Sequence, residues 1–115
     1  MGKVLEEDLQ QFIGTTMYHR LTILPLNCTD GVAFFAQKAE AYWLIDEIAL
    51  AHHFRDLKNE QFIVIKVDAK DNKADVEYSD GNENVLHKEH YDFTDLDGSY
   101  KFYLTNNVLM LPNEY

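Results

Sequence analysis

Between Val32 and Phe54 the chain contains neither proline nor glycine, and beyond Phe62 its apolar residues switch to every second position. This separation of a helical period from a period of two is what most constrains the fold. It predicts an α+β domain, in which helix and sheet come from different stretches, rather than alternating crossover units. Thr29 or Asp30 can accept backbone N–H bonds as the N-cap of one helix over 32–54. Placed at 100° per residue, Gln37, Glu40 and Glu47 gather on a narrow solvent arc, and Val32, Phe35, Ala36, Ala39, Tyr42, Trp43, Ala49 and Leu50 lie opposite. The spacing therefore predicts a long central helix with the rest of the domain packed around it and Trp43 largely buried.

The second half predicts the sheet. Ile63, Ile65 and Val67 share one face of a β-branched run, and Ala74, Val76 and Tyr78 alternate with Lys73, Asp75 and Glu77. A third strand starting at Val85 places His87, Glu89, Tyr91 and Phe93 on one side, and Tyr100, Phe102 and Leu104 alternate in a fourth. Val108 to Leu111 follows, before Pro112. Asp71-Asn72, Asp80-Gly81-Asn82 and Asn106-Asn107 supply turn chemistry. Short separations between these runs predict an antiparallel meander of about four to five strands. Upstream, Leu5, Leu9, Phe12 and Ile13 are spaced for a short N-terminal helix stopped by Gly14, and 17–24 reads as a short extended segment closed by Pro25. No repeat or low-complexity linker divides residues 1–115, so a single domain is expected.

The chain has 115 residues, 46% of them hydrophobic and 13% aromatic, which is too apolar for disorder despite a net charge of -10. Its one cysteine, Cys28, excludes an intramolecular disulfide and favours a reducing compartment. The acidic N-terminal stretch does not read as a signal peptide, and no run of 18 apolar residues suggests a membrane span. A cytoplasmic protein is expected. Between Asp68 and Asp97 ten acidic residues face three lysines, so this segment carries seven of the ten net negative charges. Such a surface repels phosphate backbones and anionic lipid, which argues against direct nucleic-acid or membrane binding and leaves a solvated, solubilising face, mimicry of nucleic-acid charge or a basic protein partner.

Three stretches bring a family into view. Thr29-Asp30-Gly31-Val32, Lys38-Ala39-Glu40-Ala41-Tyr42-Trp43-Leu44-Ile45-Asp46 and Val108-Leu109-Met110-Leu111-Pro112-Asn113-Glu114-Tyr115, with Leu9-Gln10-Gln11-Phe12-Ile13-Gly14-Thr15 ahead of them, resemble the uncharacterised bacterial family domain of unknown function six-eight-seven-six. The resemblance spans nearly the whole chain and is looser between Phe54 and Lys101. It implies a small intracellular domain, sometimes carried on mobile elements such as plasmids, and it brings no catalytic residues with it.

The residues themselves offer few sites. On a single long helix Asp46 falls among Phe35, Tyr42 and His53, and a carboxylate on that apolar side has to be hydrogen-bonded, neutralised or paired. It reads either as a buried polar anchor or as an acid or base working with His53. Cys28 stands just ahead of a helix N-terminus, where a thiol pKa can be lowered, but no partner signature accompanies it. His52 and His53 point about 100° apart, His87 and His90 fall on opposite faces of a strand, and Cys28 lacks a CxxC partner, so no metal site is expected. The glycines are scattered, leaving no phosphate loop and no expected cofactor. Two functions follow. One is a small acidic, non-enzymatic interaction protein that meets a basic partner through Asp75, Glu77 and Asp80, in the setting of mobile elements or host defence. The other is a small hydrolase-like enzyme using Asp46, His53 and Cys28.

Overall fold

The β-branched run beginning at Ile63 becomes the centre of a six-stranded mixed sheet. The computed structural model describes residues 9, 14, 17–54, 57–82 and 84–115. The N-terminal helix expected over 5–13 falls, Leu9 apart, outside them. The elements are β1 (Asn27–Cys28), α1 (Asp30–Lys38), α2 (Tyr42–Phe54), β2 (Ile63–Lys70), β3 (Lys73–Ser79), β4 (Val85–Tyr91), β5 (Gly98–Thr105) and β6 (Val108–Met110). The sheet order is β1-β6-β5-β2-β3-β4.

Two features overturn the expected long central helix on a four-to-five-strand meander. The first is that the helix is two helices. Ala41 N donates to Ala36 O (2.9 Å) and Glu40 N to Gln37 O (3.3 Å), while Glu40 takes φ 53°. This is the Schellman ending, a left-handed residue that stops a helix by satisfying its last carbonyls. Glycine usually occupies that position. Here glutamate does, so the break carries no sequence mark. Strain at a left-handed glutamate is about 1–2 kcal/mol, and glycine would add roughly 0.5–1 kcal/mol of unfolded-state entropy. Glu40→Gly is therefore expected to raise stability by about 0.5–1 kcal/mol, read as a higher urea midpoint at constant m. In an unbroken helix the same change would lower stability by about 1 kcal/mol, so the sign of the shift decides between the two arrangements.

The second feature is strand order. The turns at Asp71-Asn72 (φ 56° and 65°) and Asn106-Asn107 (φ 53° and 61°) have both central residues left-handed, as tight hairpins require. They pair β2 with β3 and β5 with β6. Between β4 and β5, however, the chain does not turn back on itself. Residues 92–97 cross the end of the β2–β3 hairpin, where Thr94 N donates to Asn72 O (3.0 Å), and β5 pairs antiparallel with β2. Crossing three strand spacings takes about 14 Å, within reach of six residues. The crossing lets Tyr100, Phe102 and Leu104 enter the core beside β2 and leaves β4, with its polar His87 and Glu89, at the edge. Two-residue β1 closes the other edge, parallel to β6.

The helices cover one sheet face. Along β2 the core residues Ile63, Ile65, Val67 and Ala69 alternate with exposed Lys66, Asp68 and Lys70. Phe35 of α1 packs edge-on against Tyr100 and Phe102 of β5, at 4.9 and 5.2 Å between ring centroids. Trp43 is partly buried and meets Tyr91 of β4 edge-on at 5.3 Å. The opposite sheet face is covered at one end, where Phe62, Tyr103 and Tyr115 pack their rings together and Val64 and Met110 are buried, and toward the other end its Lys66, Asp68 and Asp75 are exposed.

The helix break also resets the helical phase, with consequences for two carboxylates. Tyr42, Asp46 and Leu50 form an exposed stripe, and Leu44, Ile45, Ile48 and Ala49 turn inward. Asp46, placed on the apolar side by a continuous helix, is exposed. Glu47, placed on the solvent arc, is partly buried and accepts a hydrogen bond from the Tyr91 hydroxyl (3.0 Å).

Candidate functional site

The register of β5, β2, β3 and β4 sorts the uncovered face into two rows. One reads Lys101, Lys66, Glu77, Lys88, and the next reads Ser99, Asp68, Asp75, His90. Glu77 thus stands between two lysines. Asp68 and Asp75 stand directly opposite each other, an arrangement of like charges that works against strand pairing.

Local bonds organise this acidic row. Ser99 Oγ donates to Asp68 Oδ1 (2.7 Å). His90 is shared by Asp75 (Nδ1, 2.6 Å) and Asp92 (Nε2, 2.9 Å). The bond to Asp75, then that to Asp92, holds the His90 pKa above the ordinary imidazole value. A shallow depression of about 600 Å³ runs from this row to the sheet end, where Asp71 and Asp97 add to the charge and Lys70 and Lys73 offset part of it. The β-strands supply the row and the 92–97 crossing supplies its rim.

Of the three acidic residues expected to bind, only Asp75 lies here. Asp80 is engaged in its own turn: it accepts from Asn82 N (2.8 Å), Asn84 N (3.3 Å) and Asn84 Nδ2 (2.9 Å). The Asn84 side-chain bond leads the causes that hold its carboxyl below the usual range. Asp68 joins the site instead, and the pairing register, which no local pattern shows, is what puts it there.

The residues of the hydrolase reading are dispersed. Cys28 is fully buried in β1, and burial pushes its thiol up to about 12, far from the thiolate a nucleophile needs. Asp46 lines an open groove of about 640 Å³ with Arg20, Ile23 and Leu50. His53 packs against Phe54 at 4.6 Å between ring centroids. Seven residues apart on one helix, Asp46 and His53 are separated by about 10 Å along its axis. Among the described residues, no group of three or more His, Cys, Asp or Glu is placed to hold a metal ion, and no helix is long and apolar enough to cross a membrane.

A second polar group, which sequence reasoning missed, lies on the covered face at the β4 edge. His87 and Glu89 share a bond at 2.5 Å, and Glu47 reaches the same place from α2 through Tyr91. The alternation of β4 had put His87, Glu89 and Tyr91 on one side. The missing signal was the phase of α2.

A model of a family of unknown function, DUF6876, matches residues 3–115. The chain belongs to this family. No curated protein and no solved structure matches it. The segments that carry the family resemblance meet in three dimensions: Glu114, from the C-terminal segment, accepts from Thr29 Oγ1 (2.5 Å), Gly31 N (3.0 Å) and Leu111 N (3.0 Å). It caps α1 beside the Thr29 side chain, which itself accepts from Val32 N (3.4 Å). In this family member those motifs close the fold, joining the first helix to the last turn.

Proposed function

We propose that this chain is a non-enzymatic protein-interaction module that takes a basic partner on the acidic row of its uncovered sheet face. The observation that carries this reading is the direct opposition of Asp68 and Asp75 in a sheet face left bare by the helices. Like charges opposed in this way cost a few tenths to 1 kcal/mol in folding, a cost that a cationic partner would turn into attraction. The buried Cys28 and the dispersed Asp46 and His53 lend nothing comparable to hydrolysis. The setting on mobile elements or in host defence rests on the family resemblance alone.

Titration with a hexalysine peptide, followed by amide NMR shifts, tests the reading. Shifts are expected to concentrate at residues 68–75 and 90–97, and Asp68→Asn with Asp75→Asn should weaken binding roughly tenfold at low salt, since each exposed ion pair is worth up to ~1 kcal/mol. The difference should shrink at high salt. Glu77→Gln, set between lysines, should have the smaller effect. Shifts spread evenly over the surface, or binding indifferent to Asp68 and Asp75, would sink the reading.

A further inference from the structure

The groove that Asp46 lines, about 640 Å³ in volume, has two walls of different origin. One is the bent segment 20–24, and the other is the exposed stripe of α2. Local bonds fix the shape of the first wall. Arg20 Nη2 donates to Leu24 O (3.0 Å), Leu24 N to Thr22 Oγ1 (3.4 Å) and Leu26 N to Leu24 O (2.8 Å). Leu21 and Leu24 pack against the core, while Ile23 is held outward with 98% of its surface exposed. Across the groove Leu50 is exposed as well. A lone exposed isoleucine is ordinary, but one braced beside an apolar hollow marks an interaction surface.

The two charges of the groove select its occupant. Arg20 belongs to one wall and Asp46 to the other. Arg20 spends only one of its five donors on Leu24 O, and Asp46 is exposed, with no hydrogen bond or ion pair among the described residues. A purely basic or purely acidic partner would satisfy one of these charges and oppose the other. A second copy of the chain satisfies both, because across a two-fold axis residue i meets j and j meets i. The same symmetry sets the protruding Ile23 of each copy against the hollow of the other. The groove is also locally neutral in a chain of net charge -10. Asp68 and Asp75 lie on the other sheet face, so two copies joined here keep their acidic rows apart, where salt screens the repulsion.

We propose that this groove is the contact face of a two-fold homodimer, in which Ile23 of each copy enters the groove of the other and Arg20 of each copy pairs with Asp46 of the other. The dimer stands independently of the basic partner of the proposed function, which is taken on the opposite side of the sheet.

Sedimentation equilibrium of the full chain tests the proposal, with far-UV circular dichroism confirming that each variant is folded. The wild type is expected to dimerise. Ile23→Asp, at a position that contributes almost no burial within one copy, should weaken the dimer by roughly a hundredfold, because both copies lose an apolar contact and bring a charge to be desolvated. Arg20→Asp and Asp46→Arg should each be monomeric alone, since each sets like charges against each other across the axis. An equimolar mixture of those two variants should recover the dimer, since every contact then joins unlike charges again. A wild type that stays monomeric at millimolar concentration, the groove then serving some other occupant, would overturn the proposal. So would a dimer that survives Ile23→Asp, or folded charge variants whose mixture fails to associate.

Discussion

Glu114→Ala is expected to destabilise the protein by about 2–4 kcal/mol, measured as a lower urea midpoint. The residue lies 85 positions from Thr29, yet it accepts two hydrogen bonds at the N-terminus of α1, from Thr29 Oγ1 and Gly31 N, and a third from Leu111 N in its own turn. Bonds to a charged group contribute about 1.5–3 kcal/mol each when well sheltered, and the helix dipole favours an anion at this end by a further 0.3–1 kcal/mol or so. Partial exposure lets water replace some of this, which sets the total below the sum. Glu114→Gln keeps an acceptor without the charge and should fall between wild type and alanine. Gly31→Ala attacks the same arrangement from the other side: a Cβ there would stand 2.5 Å from Leu111 Cδ1 and 2.7 Å from Glu114 Oε1. The two substitutions remove one shared set of contacts. Their effects should therefore be strongly non-additive in a double-mutant cycle, and simple additivity would show that Glu114 and Gly31 do not act together.

Phe35→Ala should cost about 3–5 kcal/mol, the range for truncating a large aromatic in a packed core. Phe35 is fully buried and is the residue through which α1 grips β5, edge-on to both Tyr100 and Phe102. Those edge-to-face contacts contribute about 0.5–1.5 kcal/mol per pair beyond burial. Phe93, with 93% of its surface exposed, provides the control: its replacement by alanine should stay within about 0.5 kcal/mol. If the two variants unfold at the same urea concentration, α1 is not anchored on β5.

The alternating stretches were legible in the sequence because a strand's inward and outward positions follow from its own residues. Ile63, Ile65 and Val67, then Ala74, Val76 and Tyr78, then Tyr100, Phe102 and Leu104 all face the core as their spacing predicts. The Asp71-Asn72 and Asn106-Asn107 hairpins were equally local, since asparagine and aspartate tolerate the left-handed region that a tight turn demands. The helix break was not legible. Glu40 in that same region looks like an ordinary helical residue, and missing it exchanged the environments of Asp46 and Glu47, moving attention from the carboxylate beside Tyr91 to one in solvent.

Local residue chemistry thus determined five of the six strands, β2 to β6, where their tight turns fall, which family the chain resembles and that its charge would be concentrated in the second half, while the two-residue β1 at Asn27–Cys28 went unread and 17–24 did not form a strand. Only the tertiary structure decided the order of the strands, the opposition of Asp68 and Asp75, the meeting of Glu47 with Tyr91 at the β4 edge and the capping of α1 by Glu114. The physical reason is range. Periodicity and turn preference arise between residues a few positions apart, whereas pairing register, helix phase against a sheet and a cap supplied from 85 residues away depend on how whole elements pack, which no local window contains.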